Sequence, residues 1–229
     1  MTRVDPSAAS GRERVVSTRK NEILALARTM FADRGYTATS MRDLAEASGV
    51  LPGSLYAHFR SKADLADQIV MAFFVDLLPE QQAVYDGPGT GAVRFALMID
   101  RVYAICERHH EAVRILHYDW KALSAIDELE DMRQATDRTL DLWGDVARAG
   151  VEDGSIHADI DPEYIVRIVT STLHGMIDRG RYQNRRAPRA ELSGADTLRR
   201  CLLLGVATPK GAAAVRRPAK ARTKPSARS

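Results

Sequence analysis

Two sets of side chains have the types and spacing to do chemistry. The first lies between Thr39 and Lys62, where Thr39, Ser40, Arg42, Ser54, Tyr56, His58 and Lys62 offer hydroxyl, guanidinium, imidazole and ammonium donors. Donors of these kinds bond phosphate oxygens and base edges. Among them stand Pro52, Gly53 and Ala57, compact residues that let a helix approach another surface closely. The second set is His110, Arg114, His117 and Lys121, which share one helix face and can receive an anionic group. Beside it Val113, Leu116, Trp120 and Leu123 form an apolar face, and Trp120, Trp143, Met98 and Tyr103 can wall an apolar pocket. The ordinary alternative for this second set is a solvated basic face over a normal core.

Other chemistries have less support. Cys106, His109, His110 and His117 are potential metal ligands, but adjacent histidines point to different helix faces and no carboxylate–histidine pattern completes a cage. No metal and no cofactor are expected. His174 and Asp178, spaced i, i+4, suit a helix-surface contact better than acid–base catalysis. With neither a nucleophile motif nor a phosphate-cradling glycine loop, an enzyme is not expected. The two cysteines, Cys106 and Cys201, lie far apart, as expected of a chain kept in a reducing compartment. No apolar run reaches the length of a membrane span, and MTRVDPSAASGRERVV lacks the apolar core of a signal peptide, so a cytoplasmic protein without a membrane partner is expected.

The elements that must position these groups are helices. Apolar residues recur at helical spacing almost throughout and no stretch alternates as a strand would, so the fold class is all-α, with about nine helices. At 229 residues and 45% apolar composition the chain can bury a proper core. The first helix is expected from about Thr18 to Arg34, ended by Gly35, with a tight helical trio completed by residue 63. Later helices are expected at about 62–78, 91–107, 109–123, 128–151, 162–180 and 194–207, punctuated by Pro79, Gly87-Pro88-Gly89, Gly154 and Pro188. The domain reading is a flexible basic arm (1–16), a DNA-binding helix-turn-helix unit (17–63), a helical body (64–208), which the family resemblance given below implies is for ligand binding and dimerisation, and a disordered basic tail (209–229). Residues 1–20 carry five bases against two acids, and the last 21 residues carry seven bases and no acid, so an acidic body bears two basic ends. A basic tail near phosphates adds salt-dependent, sequence-independent attraction to DNA.

The helix-turn-helix reading rests on caps that agree with one another. Ser40 stands three residues before Asp43, a capping-box arrangement that fixes where a short helix starts. Ala45 is small where a second helix must cross, Gly49 permits the turn, and Leu44, Val50, Leu55 and Phe31 can share a core. Pro52 suits the first position of the next helix, whose exposed face would carry Gly53, Ser54, Tyr56, Ala57 and His58. Ser61 and Asp64 cap a further helix, with Lys62 in its first turn as a phosphate anchor.

The run Gly35-Tyr36-x-Ala38-Thr39-Ser40-Met41-x-Asp43-Leu44-Ala45-x-x-Ser48-Gly49-Val50, followed by Gly53-Ser54-Leu55-Tyr56-x-His58-Phe59-x-Ser61-Lys62, resembles the TetR family of repressors. The resemblance covers about 45 residues closely, and the length and helix count of the remainder suit that family's regulatory domain. It implies a homodimer bound to a palindromic operator of double-stranded DNA and released by a small molecule, most simply a repressor of a catabolic operon. It also implies phosphate contacts at Tyr56, His58 and Lys62, and base proximity at Arg42, Gly53, Ser54 and Ala57. Leu51 departs from the pattern, because many relatives place a Ser or Thr cap there. The apolar stripes Ile165, Ile168, Val169, Thr172, Met176 and Leu198, Leu202, Val206 resemble the helices that pair between subunits in this family, although periodicity alone suits intramolecular core equally well. Some TetR-like regulators of lipid and sterol breakdown have a stretch similar to His109-His110 and respond to acyl-CoA thioesters, which suggests an acyl-CoA or another apolar anionic effector. A helical enzyme or carrier that binds an acyl thioester is the reading from a different class.

Overall fold

Proline and glycine divide the chain into nine helices among the residues that the computed structural model describes, namely 6–177, 194–206 and 209. The elements are α1 (Pro6–Arg34), α2 (Met41–Ser48), α3 (Pro52–His58), α4 (Lys62–Tyr85), α5 (Gly91–Arg108), α6 (His110–Leu123), α7 (Glu130–Glu152), α8 (Pro162–Ile177) and α9 (Gly194–Val206). A single 3-10 turn, Asp127–Leu129, precedes α7. No strand occurs among the described residues.

The boundaries follow the expected ones closely, with two corrections. The first helix begins at Pro6 and not near Thr18, so residues 6–16 are helical and are not an arm. Pro6 occupies the first helical position, where its missing N–H costs nothing, and Ala8, Ala9, Arg12, Glu13 and Arg14 favour continuation. Pro79 was expected to end a helix, yet α4 runs through it to Tyr85. An internal proline costs about 3 kcal/mol, and α4 offsets this by burying the apolar Leu77 and Val84 on either side of it, in a helix that packs against α5 and α7. The expected helix end at residue 180 and the cap at Ser193 lie outside the described residues, as does the tail apart from Pro209.

The head is α1–α3. Ile23, Ala27 and Phe31 of α1 share a buried core with Leu44 of α2, Leu55 of α3 and Phe59. In the body α4, α5 and α7 pack on one another, α8 covers α6 and α7, and α9 lies chiefly against α5. Trp143 of α7 is fully buried and meets Phe95 of α5 edge-on, with ring centroids 5.1 Å apart.

The start of α5 touches the end of α7 more closely than side chains would allow. A Cβ added at Gly91 would lie 2.1 Å from the Gly150 Cα, a backbone atom that cannot swing aside. The same approach lets Asp153 accept a hydrogen bond from the Gly91 N–H (2.6 Å) and Ser155 from that of Ala92 (3.0 Å), which completes the N-terminus of α5. Gly91→Ala is therefore expected to destabilise the fold by about 3 kcal/mol, measured as a lower urea midpoint. An unchanged midpoint would show that this junction is not rigid.

Candidate nucleic-acid interface and effector cavity

The reading head is set by local hydrogen bonds. Ser40 caps α2 through a complete capping box: its hydroxyl accepts from the Asp43 N–H (3.2 Å), and the Asp43 carboxylate accepts from the Ser40 N–H (2.8 Å). Those bonds from Ser40, side chain first, hold the Asp43 carboxyl below its ordinary range. Gly49 ends α2 in the left-handed region at φ 68°, the conformation that turns the chain toward α3. Arg19 of α1 donates to the Ser48 carbonyl (2.6 Å), which ties the same turn to the first helix.

Helix α3 is anchored by Leu55 alone, which is fully buried. Pro52, Gly53, Ser54, Tyr56 and Ala57 are exposed, His58 is half-buried, and Arg42 is exposed on α2. These expected reading-face residues are thus all at least partly open to solvent. Leu51 stands at the N-cap, 79% exposed and without a side-chain cap bond, as its apolar nature requires. Two expected contacts change. The Thr39 side chain is buried and its hydroxyl donates to the Gly35 carbonyl (2.9 Å), so it braces the turn and does not face outward. The Lys62 ammonium donates to the Tyr36 and Thr39 carbonyls at 2.9 Å each and sits 4.2 Å from the Tyr36 ring centroid. Burial lowers the basicity of Lys62, with Asp119 acting in the opposite direction. In the DNA-free chain this ammonium holds the turn before α2.

Helix α6 joins the head to the body. Glu111 pairs with Arg28 (2.6 Å) and accepts from the Thr29 hydroxyl (2.9 Å), and Arg114 pairs with Asp33 (3.2 Å). One turn further on, Asp119 accepts from the Tyr36 N–H (2.9 Å). The expected anion-binding face is thereby corrected in part, since Arg114 faces α1 and His110 stands exposed at the start of α6. The neighbouring His109 bonds Asp76 of α4 (2.8 Å).

On its other side α6 walls a cavity of about 360 Å³ between α4, α5, α7 and α8. Three of the expected ligand-binding residues line it: His117, Trp120 and Trp143. Met98 is fully buried core, Tyr103 is half-buried beside Gly194, and His110 and Arg114 are elsewhere. Sequence reasoning missed Phe73 and Phe74 of α4 and Thr170, Leu173 and His174 of α8, all of which line the cavity. The phenylalanines gave no signal, being apolar positions on an apolar face. His174 did stand out, but as a helix-surface partner of Asp178, which lies outside the described residues; it lines the cavity instead. Burial, with His117 second, pushes its pKa down to about 4, so His174 is neutral at physiological pH. No group of residues suited to holding a metal ion, and no helix long and apolar enough to cross a membrane, occurs among the described residues.

The subunit-pairing stripes divide in two. Ile165, Val169 and Leu198 are buried within the subunit and are corrected to core. Ile168 is 52% exposed and Tyr164 60% exposed on the opposite side of α8, while Thr172, Met176 and Leu202 are half-buried. The Val206 side chain lies outside the described residues.

Residues 23–69 match the profile of bacterial regulatory proteins of the tetR family, and residues 88–178 match a tetracyclin repressor-like C-terminal domain. The HTH-type transcriptional repressor KstR2 of Rhodococcus jostii is 35% identical over 156 residues, 68% of this chain and 76% of that protein. KstR2 of Mycobacterium tuberculosis is 30% identical over 157 residues, 69% of this chain and 78% of the relative. The solved structure of the ketosteroid transcriptional regulator KstR2 of M. tuberculosis superposes with a TM-score of 0.69 at 26% identity, covering 83% of this chain and 95% of that one. A probable transcriptional regulatory protein of known structure gives a TM-score of 0.66 at 30% identity, with 80% and 94% covered. With such a head on such a body, shared over most of their length with named repressors, the chain belongs to the TetR family and is a DNA-binding transcriptional repressor.

Proposed function

We propose that this repressor works as a cytoplasmic homodimer whose two heads grip a palindromic operator and let go when a small molecule fills the cavity. One observation carries the reading: α6 supplies both the cavity wall, through Leu116, His117 and Trp120, and the ties to the head, through Glu111, Arg114 and Asp119. A ligand that displaces this helix changes the seat of α1 and of the turn before α2. For release to follow, the ligand must favour the head separation that does not fit DNA, since equal affinity for both states shifts nothing. The fit requires recognition helices about 34–36 Å apart, one turn of the double helix.

For the effector, an acyl-CoA or another apolar anionic metabolite is favoured by what adjoins the cavity. A groove of about 380 Å³ shares Leu140 and Thr170 with it and carries Arg148 and Arg167 beside Asp141 and Glu163. An apolar body in the cavity would leave its charged part to those arginines. The KstR2 relatives are described as repressors, one of them as a ketosteroid regulator, which accords with a bulky apolar ligand and a catabolic operon. Footprinting of the DNA upstream of its gene, then a screen for ligands that release it, tests the reading; no protected palindrome at moderate salt would refute it.

Pairing of subunits through the outer face of α8 is expected to be lost in Ile168→Glu. A two-fold interface meets the new carboxylate twice, and an unpaired buried charge costs several kcal/mol. Sedimentation should show monomers at concentrations where the parent protein is dimeric, with operator binding lost as well. A dimer of unchanged strength would place the interface elsewhere.

A further inference from the structure

Two imidazoles face each other at the cavity, His117 from α6 and His174 from α8, with ring centroids 5.1 Å apart. Their surroundings are apolar, with Phe73, Phe74 and Leu173 among the lining residues. We propose that this pair is a polar subsite for an uncharged oxygen, a ketone or hydroxyl on an otherwise apolar ligand, and that it discriminates against a carboxylate. The inference deepens the effector-cavity reading and rests on it.

The inventory of polar groups around the cavity points this way. The hydroxyls of Thr136, Thr139 and Thr170 donate to carbonyls one turn back in their own helices, at 2.8, 3.0 and 2.9 Å, so they offer only lone pairs to a ligand. The Cys106 thiol of α5 is buried and its pKa is pushed up to about 12, leaving it neutral. Apart from that weak S–H donor, donors toward a ligand oxygen come from ring N–H groups, and of these only the imidazoles also accept, as a hydroxyl requires. No Lys or Arg lines the cavity among the described residues, whereas the carboxylate of Asp137 on α7 does. An anionic group there would meet a like charge and no fixed cation. The arginines of the adjoining groove offer a place for it outside the cavity. His174 is the deeper ring and His117 the more exposed one.

Trp120 and Trp143, the two tryptophans of the chain, both line the cavity, so intrinsic fluorescence reports its occupancy. Three probes of one shape separate the possibilities near neutral pH: decalin, 2-decalone and decahydro-2-naphthoic acid. The ketone is expected to bind about tenfold tighter than decalin, the difference one buried hydrogen bond makes, and the carboxylate no tighter than decalin. His174→Leu should erase the ketone's advantage and leave decalin binding in place, which also shows that the variant is folded. His174→Asn, whose amide still donates and accepts, should restore part of the advantage. A carboxylate that binds as tightly as the ketone, or a ketone preference that survives His174→Leu and His117→Phe alike, overturns the subsite while decalin binding still upholds the cavity. Failure of all three probes to change the fluorescence overturns the cavity reading and the subsite with it.

Discussion

Tyr56→Ala is expected to lower operator affinity by about 100-fold or more, with no change in thermal stability. The side chain is 55% exposed on α3, a helix held to the head core by Leu55 alone, so removing it empties no cavity and breaks no internal bond. Its loss is expected to be felt only on DNA. A hydroxyl donating to a phosphate is a hydrogen bond to a charged partner, worth about 1.5–3 kcal/mol, and a dimer loses two of them, one in each half-site. The salt dependence should stay the same, because a neutral hydroxyl displaces no counterion. Binding by anisotropy at two salt concentrations checks both parts. A loss under about threefold would remove Tyr56 from the interface, and a reduced salt slope would mean that its replacement disturbs a cation nearby.

The second large effect concerns coupling. In Asp119→Ala the Tyr36 N–H loses the carboxylate that seats the turn before α2 on α6, and Lys62, whose ammonium holds the same turn, loses a nearby countercharge. Allosteric coupling in such systems amounts to about 5- to 150-fold in affinity. With this tie cut, the ratio of operator affinities with and without saturating cavity ligand is expected to fall below about threefold. Ligand affinity of the free protein should change little, because Asp119 does not line the cavity. Asp119→Asn, which keeps an accepting oxygen, should retain an intermediate ratio. An undiminished ratio in Asp119→Ala would move the communication to the remaining ties, Glu111 with Arg28 and Thr29, and Arg114 with Asp33.

Much of the head was legible in the sequence because its information is local. Ser40 with Asp43, Gly49 and Pro52 each act on residues within a few positions, so their types and spacing state the geometry directly. Thr39 and Lys62 show where that legibility ends. Both are polar residues beside a recognition element, and only the path of the backbone decides whether a hydroxyl or ammonium turns outward or back onto the carbonyls of Gly35, Tyr36 and Thr39.

The cavity was harder to read, for a physical reason. A cavity is a gap between helices distant in sequence, and its wall is made of the same apolar positions that elsewhere fill the core. Met98 and Trp143 look alike on a helical wheel, yet one is packed solid and the other lines the space. The α8 stripe carries the same ambiguity, since Ile165 and Ile168 differ only in which neighbour they face. Arg114, whose position suggested an anion grip, instead pairs with Asp33, a residue 81 positions away that no local pattern could indicate.

Whether filling the cavity releases the DNA is read by titrating a cavity ligand into the protein with and without its operator, with Trp120 and Trp143 reporting occupancy. Operator DNA is expected to weaken ligand binding by about tenfold or more, matched by an equal weakening of operator binding by the ligand, as linkage requires. Equal ligand affinity for the free and DNA-bound protein would contradict such release.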